Sequence, residues 1–220
     1  NGNGTTAGLL SFRTYTSGSG LSEKVRIDSV GNVGIGTNSP GTKLDVADSE
    51  PIIRLTDTRN LNVGEWDDVS LGRIQFYTSD TTSPGARTLA EIQAYSGPDA
   101  ASGPEAELRF KTSYITDSSA VTRMVIDSQG RIGMGYTDPI YSLQVSGSVG
   151  INDYIYHNND GNTYVGFGSN DSFRVVTGNS ERLEISDSGV VINDPGNSTV
   201  DFRVESDTET HMLFVDAGSN

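Results

Sequence analysis

Apolar residues along this chain alternate with polar ones or gather in short runs bounded by Gly, Asn, Asp, Ser and Pro, and a helical period is nearly absent. The pattern predicts an all-β chain. Strands are expected at 9–15, 24–28, 32–35, 43–46, 52–56, 73–78, 89–95, 107–114, 123–127, 131–134, 142–145, 163–167, 172–176, 182–185, 190–192 and 200–205. RIQFYTS and TLAEIQAY, joined by DTTSPGAR with its Pro84-Gly85 turn signal, read as a hairpin. ELRFKTSY extends it across the loop SGPDAASGPEA.

One stretch of this pattern occurs twice without gaps, VRIDSVGNVGIGTNSPGTKLDV at 25–46 and MVIDSQGRIGMGYTDPIYSLQV at 124–145. The identical pairs are Ile27/Ile126, Asp28/Asp127, Ser29/Ser128, Gly31/Gly130, Gly34/Gly133, Gly36/Gly135, Pro40/Pro139, Leu44/Leu143 and Val46/Val145. They carry backbone geometry and apolar contacts, which a repeated structural unit must hold constant. Degenerate copies follow at 183–204 and, truncated, at 213–220. Each copy is preceded by a phenylalanine beside a cation: Phe12-Arg13, Phe110-Lys111, Phe173-Arg174 and Phe202-Arg203. Alternation sends Phe inward and the cation outward to solvent. Spacing between copies is uneven, so the chain divides into a first repeat unit at 1–59, a hairpin insert at 60–123, a second unit at 124–160, a third, degenerate unit at 161–204 and the start of a fourth at 205–220.

Within the unit, Gly31 and Gly130 fall between two strands, where a tight turn calls for positive φ. Gly34, Gly36, Gly133 and Gly135 alternate with Val33, Ile35, Ile132 and Met134, giving one apolar face and one bare face that admits close backbone approach. A neighbouring chain is the natural occupant of that bare face, with an ion or ligand as the alternative. Pro40 and Pro139 stop strand pairing and redirect the chain. Asp28 and Asp127 either accept hydrogen bonds from turn amides or, in a symmetric assembly, form a ring of carboxylates around a cation.

Composition bears on what such units pack against. Hydrophobic residues make up 34% of the chain and glycines number 26, too few core residues for a self-sufficient globule of this length. Disorder or burial against other chains would answer the shortage, and the β-branched strands favour burial. A formal charge of −14 repels nucleic acid and anionic membrane surfaces. With no cysteine there is no disulfide, thiolate metal site or cysteine nucleophile. No apolar run approaches membrane-spanning length. Both ends break off in strand-like sequence, as expected of a segment of a longer polypeptide.

The run VRIDSVGNVGIGTNSPGTKLDV closely resembles the repeat of phage tail fibres and related trimeric adhesins. GRIQFYTSDTTSPGARTLAEIQAY and INDYIYHNNDGNTYVGFGSNDSFRVVTGNSERLEI also look like fibre sequence. The resemblance implies an elongated, intertwined homotrimer of β-prism or triple β-helix segments with small β-hairpin domains. It implies a virion-borne, extracellular fibre that supports attachment to a host cell-surface glycan or protein and joins other virion tail proteins. In many such fibres a self-cleaving endosialidase-type chaperone domain lies downstream.

Enzyme signatures are thin, and the chain is read as a non-enzyme without catalytic residues, metal or cofactor. His157 and His211 lack metal-pair spacing, and no GxSxG or SxxK occurs. No helix follows the glycines of NVGIGTNSPG to make a dinucleotide loop. Inserts carry the side chains free to vary, so receptor contact is expected at Glu65, Trp66, Asp67, Asp68, Thr82 and Asp99. Trp66 among acids offers an indole face to a sugar, so a glycan depolymerase working through two carboxylates is an alternative. A bacterial trimeric surface adhesin is another.

Overall fold

The computed structural model describes residues 8–62, 65–97 and 105–192, and the strand expected at 200–205 and the truncated copy at 213–220 lie outside them. Among the described residues the fold is all-β, without a helix. The strands are β1 (Leu10–Thr16), β2 (Gly20–Ile27), β3 (Val33–Ile35), β4 (Leu44–Val46), β5 (Ser70–Thr78), β6 (Arg87–Ser96), β7 (Ala106–Thr112), β8 (Val121–Ile126), β9 (Ile132–Met134), β10 (Leu143–Val145), β11 (Tyr154–His157), β12 (Asp160–Ser169), β13 (Ser172–Thr177), β14 (Ser180–Ser186) and β15 (Gly189–Ile192). They form three sheets, β1 to β4, β5 to β10 and β11 to β15, each in chain order. The chain divides into two compact units, Asn1–Gln144 and Val145–Asn220.

The duplicated sequence builds the same structure twice. β2 and β3 pair antiparallel, with Val25 opposite Ile35 and Ile27 opposite Val33, as β8 and β9 do with Met124 opposite Met134 and Ile126 opposite Ile132. β4 then lies parallel to β3, and the bond from Val33 N to the Lys43 carbonyl (2.9 Å) recurs from Ile132 N to that of Ser142 (2.9 Å). The likeness extends upstream. β1 pairs with β2, and β7 with β8, through a register shift placed after Phe12 in one and after Phe110 in the other. Each such irregularity increases the local twist.

The turn glycines behave as expected, Gly31 at φ 79° and Gly130 at φ 77°. The bare glycine face does not. A Cβ on Gly34 would lie 2.7 Å from the Thr37 carbonyl oxygen, and one on Gly36 would overlap the Ala47 carbonyl. The chain's own path from Thr37 to Ala47 therefore covers this face, in place of the neighbouring chain or ligand expected there. Parallel strands joined by so short a link leave no room for side chains beneath it.

Two other expectations need correction. Residues 52–56 take no strand partner among the described residues, and β11, which pairs with β12 through Tyr154 opposite Gly166 and Tyr156 opposite Tyr164, was not foreseen. In the five-stranded meander β11 to β15, the turn between β13 and β14 is built from Gly178 and Asn179 at φ 58° and 60°, the double left-handed pair that matches strand twist.

Candidate interaction surfaces

Register assigns the side chains of β5 to β9 to two faces. Ile74, Ile92, Phe110 and Met124 stand opposite one another across four strands, and Gly72, Ala94, Leu108 and Ile126 form the adjacent row. The other face carries Arg73, Gln75, Glu91, Gln93, Arg109 and Lys111. In the chain by itself, the polar face is the covered one. Glu91 is 4% exposed, while Ile74 and Phe76 are 55% and 56% exposed.

The polar face is covered because long side chains from β5 and β7 lie flat over central β6. Gln75 Nε2 donates to Glu91 Oε2 at 2.6 Å, and Lys111 Nζ sits 3.4 Å from Oε1. Arg109 donates to Glu107 at 2.8 Å and stacks its guanidinium 3.5 Å from the centre of the Tyr95 ring. Lys111, expected in open solvent, is thus largely enclosed by its carboxylate partner. Arg174 is half-enclosed likewise, between Glu181 (3.3 Å) and Glu184 (3.8 Å). Of the phenylalanines expected inward, Phe12 is exposed, Phe110 and Phe173 are half-buried, and Phe202 lies outside the described residues. Gln93 Nε2 donates to Ser70 Oγ at 2.9 Å while its Oε1 is buried without a hydrogen-bond partner, so the face closes on itself with one oxygen left unpaired and calls for no further layer.

The apolar face does call for one, because a sheet must bury its hydrophobic side against another layer. Val125 and Val176 are the two buried hydrophobic side chains among the described residues. Leu44 and Leu143, identical in the two repeats, are 56% and 58% exposed. The meander has its own aliphatic face, on which Val175 stands opposite Val165 and Leu183, and Ile185 opposite Phe173 and Val190. Ile185 and Val190 there are exposed.

The residues expected to touch a receptor fall at two separate places. Glu65, Trp66, Asp67 and Asp68 precede β5, and Thr82 lies beyond its other end. Nine residues of strand separate them, about 30 Å. Asp99 lies outside the described residues. Glu65 is engaged in its own turn, Oε2 accepting from Asn62 N (2.8 Å) and Nδ2 (3.1 Å). Asp67 and Asp68 are exposed, Asp68 at φ 56°. Thr82 donates its hydroxyl to Asp80 Oδ1 at 2.8 Å, closing its loop locally. Trp66 faces the sheet, half-buried beside a cavity of about 430 Å³ lined by Leu55, Leu71, Ile74, Ile92 and Leu108. It anchors its loop on the apolar face.

Asp28 and Asp127 are turn acceptors. Asp28 Oδ1 receives Val30 N (2.9 Å) and Asn32 N (2.8 Å), and Asp127 Oδ1 receives Gln129 N (2.9 Å) and Arg131 N (2.8 Å). The amide of Asn32 does most to hold the Asp28 carboxyl below its ordinary pKa. For Asp127, desolvation pushes upward, and the Arg131 amide and guanidinium with the Gln129 amide outweigh it. The Arg59 guanidinium lowers Asp57 to about 2. All three groups bind protons less readily folded than unfolded, where an aspartate titrates near 3.9. Their contribution is complete above about pH 5 and is lost as pH falls through the folded values. A thermal midpoint level from pH 7 to 5 and falling below about pH 4 is expected. In Asp28→Asn the fall should be shallower, and an equally steep fall would remove Asp28 from this account.

Among the described residues no group of three or more His, Cys, Asp or Glu side chains is placed to hold a metal ion, and no helix is long and apolar enough to cross a membrane. His157 Nδ1 lies 3.8 Å from Asp160 at the exposed turn between β11 and β12. No protein-family model matches the chain, and no curated protein matches it.

Proposed function

We propose that the chain is a structural and adhesive segment of a trimeric viral tail fibre, borne outside the virion and supporting attachment to a host surface. The observation that carries this reading is the uncovered aliphatic face running across β5 to β9, together with a sequence unit that repeats the same exposed leucine. Each such side chain is about half exposed in the single chain, so covering it contributes on the order of 1 kcal/mol. A dozen of them per chain offset an association cost of about 4–15 kcal/mol. The partner must repeat as this chain repeats, and further copies of the chain do so. A three-fold axis closes the arrangement, in a β-prism or triple β-helix.

The role is mechanical reach combined with avidity, since identical chains on several fibres turn weak contacts into durable attachment. The loops at the two ends of β5, around Trp66 and Thr82, are the places for contact with a host glycan or protein. Light scattering on the purified protein tests the assembly: three times the 23.4 kDa of one chain is expected, and a folded monomer would overturn the reading.

A further inference from the structure

Residues 52–56, IIRLT, alternate like a strand, yet among the described residues they take no strand partner and none of their backbone groups enters a hydrogen bond. Ile52, Ile53 and Leu55 are 74%, 71% and 58% exposed. Apolar side chains point to both sides of this stretch, so lying on one surface covers only half of them. In its own chain the stretch crosses the face of the six-stranded sheet, where Leu55 Cβ comes within 3.7 Å of where a Gly72 Cβ would be. Arg59, just beyond it, donates to the Ser70 carbonyl at the start of β5. This hold keeps the stretch over the face and away from the edge.

The edge that stays free among the described residues is that of β5, which has β6 as its one described neighbour in the sheet. With nine residues it is the longest terminal strand of the three described sheets. Its apolar side chains Ile74 and Phe76 are among the most exposed on their face, because no further strand flanks them. A long, unprotected edge with apolar neighbours is a template for strand addition, and proteins that leave one open aggregate unless it is filled. An unpaired strand and an unpaired edge in the same chain complement each other.

We propose that residues 52–56 of one copy add as a strand to the free edge of β5 in a second copy, so that the assembled chains share a sheet. The inference rests on the self-assembly put forward above and names the contact that joins the copies. With the Arg59 hold on Ser70 released in the assembly, the link 57–69 spans up to about 45 Å when extended. Packed sheets lie about 10 Å apart, so the stretch can reach a neighbour. The added strand gains the ladder bonds it lacks, and Ile53 and Leu55 come beside Ile74 and Phe76 on the same apolar face.

The chain has no cysteine, so an introduced pair reports directly. Arg54→Cys with Gln75→Cys in one chain, the positions this register sets opposite each other, oxidised and run without reductant, is expected to give covalent dimers and trimers. Amide exchange across 52–56 should be slowed at least tenfold in the assembled wild-type protein. A disulfide found within single chains would overturn the exchange of strands. So would a trimer by light scattering whose 52–56 amides exchange freely, and that result would leave the self-assembly reading intact. A folded monomer would overturn both.

Discussion

Replacing Phe76 and Ile92 together by aspartate is expected to abolish assembly at micromolar concentration, with light scattering reporting a single-chain mass. Both side chains stand on the apolar face of adjacent strands, partly exposed in the single chain. An unpaired carboxylate enclosed there costs several kcal/mol, and a symmetric assembly repeats that cost in every chain. The sheet itself has little reason to fail, since aspartate weakens a strand by about 1 kcal/mol or less. Circular dichroism at high protein concentration should retain its β signal. Ser118→Asp is the control, because that residue is exposed in the loop between β7 and β8, away from the apolar face and the β5 edge. It should assemble as wild type. If the double variant assembled normally, the face would be a solvent surface and the copies would meet elsewhere.

The second large effect is expected at Gly36. Its φ of 77° costs an alanine about 1–2 kcal/mol, and the new Cβ would overlap the Ala47 carbonyl. Relief requires moving Ala47, whose N–H donates to the Ile35 carbonyl at 2.8 Å and fastens β4 to β3. Losing that bond adds about 1 kcal/mol. Gly36→Ala should therefore cost roughly 3 kcal/mol and lower the melting midpoint by about 6–12 °C. Gly31 separates strain from crowding. It has nearly the same φ, 79°, but its nearest neighbour is the flexible Lys43 Nζ at 3.9 Å. Gly31→Ala should show about half the shift, and equal shifts would mean that the close approach of Ala47 does not matter.

The contrast between these glycines shows how far the chain can be read without its structure. Positive φ at Gly31 follows from its place between two strand runs, a local matter. The crowding at Gly36 depends on where the chain returns after Pro40, and no local pattern states that. Asp28 and Asp127 were legible as turn acceptors because their partners are two and four residues away. Residues 52–56 and β11 mark the opposite limit. Alternation in 52–56 reports which side chains share a side, but a ladder also needs an edge to join, and within the chain this stretch meets a face. The short, aromatic YIYH showed little alternation, and becomes a strand through its pairing with β12.

Among the candidate contact residues, Trp66 was chosen for its indole among acids. The structure turns it toward Leu71 and Leu108, leaving Asp67 and Asp68 on the outer side of the loop. Glu65 looked available for chemistry and is occupied by the amides of Asn62. A side chain's type was readable, and its partner was not.

By itself, the sequence determined most of the strand segments, the turns between them and the twice-built unit, because period, glycine and aspartate act over a few residues. The tertiary structure decided which face is covered. Glu91 is enclosed by Gln75 and Lys111 and the glycine face by the chain's own link, while the aliphatic face stays open. Cover is supplied by residues distant in sequence or by another chain, and period-two alternation, which is the same for a face buried at home and one buried against a partner, carries no record of it.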